Sequence, residues 1–369
     1  MTLAIAAALG WLVVATAYRW LAFSSLSKMC GVEKAEGTGS RPPGDAVALR
    51  PLRGAGAQLE SCLDSLWRAA KGRSLRVLVG IADPRDPAIV VARRVAERWP
   101  ETEARIAIGE GPPGLNRKVS NLIQAARGED PEYWILSDAD VRVADDYAER
   151  ILAPFVDRAV GLATCPYVSV PARSVVSRID ALVTNTHFIA NACLAARFEG
   201  VHFGLGATLA LRREALARIG GFESLLPLAA DDYWLARKVE EAGFALAWVP
   251  MVVEHVLEDE GLRRAFARHV RWARVTRASR PIGYAGSIVT YDLLPALLAA
   301  ALLGAAGGFG WMPLAGWWAL RAAALWRYRD LVRLRARDLW LLPLVDATAI
   351  AVFVSGLFGS EEPPRGHVS

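Results

Sequence analysis

The stretch Tyr133-Trp-Ile-Leu-Ser-Asp-Ala-Asp-Val141 decides how this chain folds. Its opening apolar run has the length of a buried strand, and it ends in two carboxylates, Asp138 and Asp140, set one residue apart. Side chains at i and i+2 of an extended chain share one face, so both carboxylates can converge on a hard divalent cation. The carboxyl end of a strand is where open α/β sheets hold ligands, and a metal-bound diphosphate is the cargo suited to that geometry. Taken alone, Asp-x-Asp in a turn equally caps a following helix or faces solvent, so its surroundings decide.

Upstream, Val47-Ala-Leu49 reads as a strand, Leu59 to Ala70 has helical spacing, Leu75 to Ile81 is a strand and Pro87 to Arg98 a helix. The alternation continues through a helix from Val119 to Ala126, the strand Tyr133 to Leu136, a helix from Asp145 to Phe155 capped by Asp145, and a strand from Gly161 to Cys165. Strand and helix in turn predict an α/β fold with a parallel, doubly wound sheet.

On either side the composition becomes that of a membrane protein. The mean hydropathy of +0.25 is high for a wholly soluble chain of 369 residues. Leu3 to Leu26 is apolar apart from Arg19 and a few small polar residues, long enough to cross a hydrocarbon core of roughly 30 Å. A signal peptide is disfavoured, because no basic residue precedes the run, Arg19 and Trp20 lie in its second half, and no small-residue cleavage site follows. Past Pro281, apolar stretches run from about Tyr284 to Ala306, Trp311 to Trp326 and Leu339 to Phe358, which predicts about three further membrane segments. The chain thus divides into a membrane helix (1–28), a Gly/Ser/Pro-rich linker (29–45), a catalytic domain (46–281), a membrane region (282–359) and a tail (360–369).

Arginines crowd the stretch from Arg321 to Arg337, and the positive-inside rule places it in the cytoplasm together with Lys28 and the soluble domain. The net charge of +5 then suits a surface lying against anionic lipid, and no nucleic-acid module is present. Cys30, Cys62, Cys165 and Cys193 form no Cys-x-x-Cys pair and read as reduced thiols, neither a zinc site nor a disulfide framework.

Further motifs have both a chemical and an ordinary reading. Asp83 follows a strand and could accept hydrogen bonds from a uracil edge; Lys118, at a helix start in Asn116-Arg-Lys-Val-Ser-Asn121, could meet a phosphate. Both are also common turn residues. Asp231 and Asp232 suit the start of a helix, where the dipole favours acids, but one carboxylate aimed at a substrate hydroxyl would serve as a general base. Arg268, Arg271 and Trp272 share one helix face, which could grip a diphosphate or simply lie on the lipid surface. His255 is either an additional metal ligand or a structural histidine.

In order along the chain, Arg50-Pro-Leu-Arg-Gly54, Asp83-Pro-Arg-Asp-Pro-Ala88, Asn116-Arg-Lys-Val-Ser-Asn-Leu122, Asp138-Ala-Asp140, Cys165-Pro-Tyr-Val168, Asp231-Asp-Tyr233 and Arg268-His-Val-Arg-Trp272 resemble the ceramide glucosyltransferase family. The resemblance covers about residues 45 to 280. It implies a GT-A type nucleotide-diphospho-sugar transferase fold acting with inversion. By the same resemblance Asp83 contacts the nucleoside, Asp138 and Asp140 hold the metal region, Asp232 is the base, and Arg268, Arg271 and Trp272 line the site. Where the family often varies the second acid, this chain has Asp-Ala-Asp, which strengthens the expectation of Mg2+ or Mn2+.

The expected partners are a UDP-sugar donor and a membrane lipid acceptor, at a bacterial inner membrane with the catalytic domain cytoplasmic. Two acceptors fit: a hopanoid polyol such as bacteriohopanetetrol receiving N-acetylglucosamine, the reading preferred here, or a ceramide receiving glucose. A processive polysaccharide synthase needs more membrane helices and typically has Gln at the place of Arg268. A membrane-anchored binding protein without catalysis would not need the acidic set intact.

Overall fold

The computed structural model describes residues 1–31 and 44–359. Most of the expected linker and the tail lie outside the described residues. The chain separates into two compact units, one of residues 29–31, 44–167 and 195–258, the other of residues 1–28, 168–194 and 259–359.

The first unit is built on a mixed sheet. Its strands are β1 (Ala46–Leu52), β2 (Leu75–Ile81), β3 (Ala104–Ile108), β4 (Tyr133–Ser137), the short β5 (Val141–Arg142), β6 (Val160–Thr164), β7 (Tyr167–Val170), which leads into the other unit, β8 (Thr208–Arg212), β9 (Ala245–Trp248) and β10 (Val253–Val256). Seven of them pair in the order β3-β2-β1-β4-β8-β6-β9. Strands β3, β2, β1 and β4 run parallel, as the alternation predicts.

Beyond β4 the expectation of a wholly parallel sheet is corrected. β8 is antiparallel to both β4 and β6, while β6 and β9 are parallel. The reason is connectivity. Between β6 and β8 the chain leaves for the other unit through residues 168–194, so β8 does not enter by a helical crossover from its neighbour.

Central strands carry continuous buried runs because both faces are covered: all five residues of β4 are buried, and so are Ala46 to Arg50 of β1. On one face the helix Arg117–Ala126 packs on β1 and β2 with Val119 and Leu122 against Val47, Leu49 and Leu78. That approach requires Gly80, where a β-carbon would stand 2.5 Å from the Asn121 carbonyl oxygen. The helix expected from Asp145 is shorter, Tyr147–Leu152 followed by a 3-10 turn, and its start is Asp146. Asp145 is not the cap; its carboxylate accepts from Arg68 at 2.7 Å.

The second unit is helical. It holds Thr2–Met29, Val175–Val183 continuing into a π-helical turn Thr184–Ile189, Leu262–Ser279, Leu293–Ala305, Trp311–Arg327 and Leu342–Gly356. Residues 168–194 and 259–281, expected inside the catalytic domain, cluster here instead. The cause is a polar face that needs the flanking helices: Asn185 donates to the carbonyl of Val332 at 3.1 Å, and Arg178 to Asp338 at 2.6 Å.

Among the described residues, two helices are long and apolar enough to cross a membrane, Thr2–Met29 and Ala336–Gly356. A third span would exist if Pro281–Thr290 and Leu293–Ala305, bent by 46°, act as one. Arg19 of Thr2–Met29 and Arg321 of Trp311–Arg327 are buried in an ion cluster. Arg19 reaches His187 Nδ1 at 2.7 Å, His187 Nε2 lies 2.5 Å from Asp346, and Arg321 lies 2.8 Å from Asp346. Because Arg19 donates to Nδ1, the proton of His187 sits on Nε2 and is donated to Asp346.

Candidate functional site

The acidic site of the sheet unit begins where β4 ends. Asp138 lies at the carboxyl edge, its backbone N–H bonded to the Ala207 carbonyl at 3.2 Å. Beneath it, the fully buried Arg50 of β1 donates to Ser137 Oγ at 2.7 Å and to the Cys62 carbonyl at 2.8 Å, fixing the strand end from below.

Lys118 is the centre of the charges. Its Nζ is 2.7 Å from Asp138 Oδ1 and 3.1 Å from Asp231 Oδ2. The lysine is placed by Asn116, whose side-chain oxygen caps the helix by accepting from the N–H groups of Lys118 (3.1 Å) and Val119 (3.2 Å). The same Asn116 donates to Asp231 at 3.2 Å and to the Leu228 carbonyl at 3.0 Å. Although burial opposes its charge, Lys118 is held firmly protonated by Asp138 and Asp231. Burial raises the Asp138 carboxyl despite Lys118, whereas Lys118 and Asn116 keep Asp231 below the usual range against its own burial. The lysine expected to meet a phosphate is therefore engaged by carboxylates.

Asp140 has a different partner. β5 pairs antiparallel with β10 so that Val141 faces His255, and the Val256 N–H reaches the Asp140 carbonyl at 2.8 Å. His255 Nε2 then stands 3.3 Å from Asp140 Oδ2. Against the cost of burial, this imidazole holds the Asp140 carboxyl below its ordinary range. Two donor atoms at that separation can share one cation, since adjacent ligands at roughly 2.1 Å from a metal stand about 3 Å apart. Among the described residues no three His, Cys, Asp or Glu side chains converge, so further ligands would be diphosphate oxygens and water, as Mg2+ commonly retains. The donor set fits a cation that arrives with its substrate.

Asp232 lies in the first turn of the helix Asp231–Glu241. Its Oδ1 accepts from the Tyr233 N–H at 2.8 Å, and a β-carbon at Gly206 would lie 2.6 Å from its Oδ2. Burial, then repulsion from Asp231, pushes the carboxyl up to about 6, with Lys118 pulling the other way. That is a proton acceptor tuned close to neutrality.

Asp83 stands apart from these contacts. Its side chain is 54% exposed, and it accepts from the Arg85 N–H at 2.9 Å. The more constrained acid of that turn is Asp86, which accepts from Gly54 N–H at 2.9 Å and Ala88 N–H at 2.8 Å and so ties the loop after β1 to the loop after β2.

Within the helical unit, the helix Leu262–Ser279 carries the Arg-His-Val-Arg-Trp string. Arg268 is bound by Glu260 at 2.9 Å and by Asp180, so its guanidinium is already paired. Arg271 is exposed, with no ion pair among the described residues. The Trp272 ring stacks on Phe188 with centroids 5.5 Å apart. Asp180, unremarked in the sequence, also receives His269 Nε2 at 2.7 Å. Asp180→Ala is expected to lower unfolding stability by about 2 kcal/mol, because it leaves the buried His269 without its carboxylate and Arg268 with Glu260 alone; an unchanged melting temperature in detergent would contradict this.

This mixed α/β sheet, with acids at the carboxyl edge of a central strand, has a counterpart among solved structures. The mannosyltransferase PcManGT from Pyrobaculum calidifontis, solved in complex with GDP-Man and Mn2+, shares it: TM-score 0.57 at 20% identity, over 97% of both chains. The model of Glycosyl transferase family 21 matches residues 7–368, and this chain belongs to that family. Ceramide glucosyltransferase 1 of Caenorhabditis elegans is 24% identical over 203 residues, 54% of this chain and 43% of that protein, so the chain matches less than half the length of this relative.

Proposed function

We propose that the protein is an inverting glycosyltransferase of the GT-A type that moves a sugar from a UDP-sugar to a hydroxyl of a membrane lipid. The observation that carries this reading is Asp232, a carboxyl pushed to about 6 beside the Lys118–Asp138–Asp231 cluster at the edge of the sheet. Asp232 takes the proton of the acceptor hydroxyl as that oxygen bonds to the anomeric carbon; the bond from that carbon to the diphosphate breaks, and UDP departs with the electron pair. Lys118 keeps Asp138 and Asp231 from adding to the repulsion around the leaving group. A divalent cation held by Asp140 with His255, on the Asp138 side of the site, would draw charge off the diphosphate. Asp83 would contact the nucleoside. For Arg268, Arg271 and Trp272 the role in lining the site rests on the family motif alone.

A lipid acceptor is supported by the two apolar helices long enough to cross a membrane. Of the two acceptors, the sequence match to a ceramide glucosyltransferase favours ceramide with a glucose donor over the hopanoid polyol with N-acetylglucosamine. The basic stretch to Arg337 favours a cytoplasmic catalytic unit.

The test is incubation of the membrane-embedded protein with labelled UDP-glucose, UDP-galactose and UDP-N-acetylglucosamine against ceramide and bacteriohopanetetrol, followed by lipid mass spectrometry. Glucosylceramide is the expected product; a hopanoid glycoside would reverse the acceptor assignment, and a polymer ladder would overturn single transfer. Asp140→Ala is expected to raise the Mn2+ concentration needed for half-maximal UDP binding by about 10-fold or more. Identical UDP affinity across the metal titration would remove Asp140 from the cation site.

A further inference from the structure

Between Asp292 and Arg321 no side chain carries a charge, a hydroxyl or an amide. This stretch folds back on itself: Leu293–Ala305 packs against Trp311–Arg327, with Leu293, Ala296 and Trp317 in one buried cluster. Neither arm has the length of a span. The first, of 13 residues, is about 20 Å long against a hydrocarbon core of roughly 30 Å. The second, Trp311–Arg327, is about 25 Å of helix, and Arg321 interrupts its apolar run after ten residues, about 15 Å from its start.

Both feet of the hairpin are fixed in the buried ion cluster, Asp292 lying 3.9 Å from Arg19 and Arg321 bonded to Asp346 at 2.8 Å. The tip is the opposite in character. Phe309, Trp311 and Met312 are 70, 65 and 54% exposed, and no polar side chain accompanies them. In water each would hold a large apolar side chain against solvent at a cost in transfer free energy.

The backbone of the turn is also prepared for a medium without water. The N–H groups of Ala306, Gly307, Gly308, Gly310 and Met312 are bonded within the turn to the carbonyls of Leu302, Gly304, Leu303, Gly308 and Phe309, at 2.9–3.1 Å. Irregular backbone is tolerated in hydrocarbon only when its polar groups are satisfied internally.

We propose that Leu293–Leu320 is a re-entrant hairpin: it enters one leaflet from the side of its feet, turns among the acyl chains at Phe309–Met312, and returns without crossing. Its partner is the hydrocarbon of that leaflet. The inference is independent of the sugar and of the acceptor.

The test uses the full chain in sealed vesicles of both orientations, with Phe309→Cys, Met312→Cys and, as a reference, Arg337→Cys in the exposed basic segment. The unsubstituted protein, whose four cysteines are buried, supplies the background. A charged, membrane-impermeant maleimide is expected to label Arg337→Cys from one face only and the two tip cysteines from neither. A nitroxide placed at 309 or 312 by a permeant reagent is expected to relax faster with oxygen than with a water-soluble nickel chelate. Labelling of either tip cysteine from the face opposite to Arg337→Cys would overturn the proposal in favour of a crossing hairpin. Labelling from the same face, or faster relaxation by nickel, would place the tip in water and overturn it as well.

Discussion

Asp232→Asn is expected to cut sugar transfer by roughly 10²- to 10⁴-fold while UDP still binds, because the lost group acts on the acceptor hydroxyl and not on the donor. The pH profile makes this specific. With the carboxyl at about 6, the base is ionised and competent at pH 7 and becomes protonated as pH falls. The value of kcat/KM should therefore drop about tenfold per pH unit below about pH 6, and the residual activity of the Asn variant should lack that acid limb. Full activity in the variant, or an unchanged limb, would take Asp232 out of the reaction.

The second expected result concerns the charges that set that value. Lys118 pulls the Asp232 carboxyl down and Asp231 pushes it up. Lys118→Met should move the acid limb toward higher pH by about one unit, and Asp231→Asn should move it toward lower pH. The lysine variant also leaves Asp138 and Asp231 unpaired. Since Asp138 keeps a side-chain exposure of 36%, the loss of stability should be about 1–2 kcal/mol, below that of a fully buried pair. Limb movements of the same sign in both variants would mean that the lysine and Asp231 do not act on the base as opposed charges.

The parallel half of the sheet was legible because its strands are buried on both faces and read as apolar runs. Tyr133 to Leu136 and Leu75 to Ile81 follow from that signal, and the helix Leu59–Ala70 from the helical spacing of its apolar residues. β3 left no such trace: Ala104–Ile108 is an edge strand without a fully buried residue, and Arg105 interrupts it. β8 gives a buried run, but nothing in a run reports its direction. In the site, the Asp138–Asp140 pair and Asp232 stand out as acids at element ends. Partners distant in sequence do not. His255 reaches Asp140 only through the register of β5 with β10, and Asp180 sits in an apolar helix 88 residues before Arg268. Residue type alone does not separate Asp231 from Asp232; the family resemblance singles out Asp232, and nothing in the sequence shows that Asn116 and Lys118 hold Asp231.

The excursion of residues 168–194 out of the sheet unit has a consequence for biosynthesis. A ribosome makes this segment well before the helices after residue 259 that receive Asp180, Arg178 and Asn185. During that interval Asp180, Arg178 and Asn185 lack these later partners, and a fragment stopped after β10 would leave them so permanently. Cutting away the carboxyl-terminal helices to obtain a soluble enzyme should consequently yield a sticky, poorly folded product, whereas excising the excursion together with them would remove the orphaned surface.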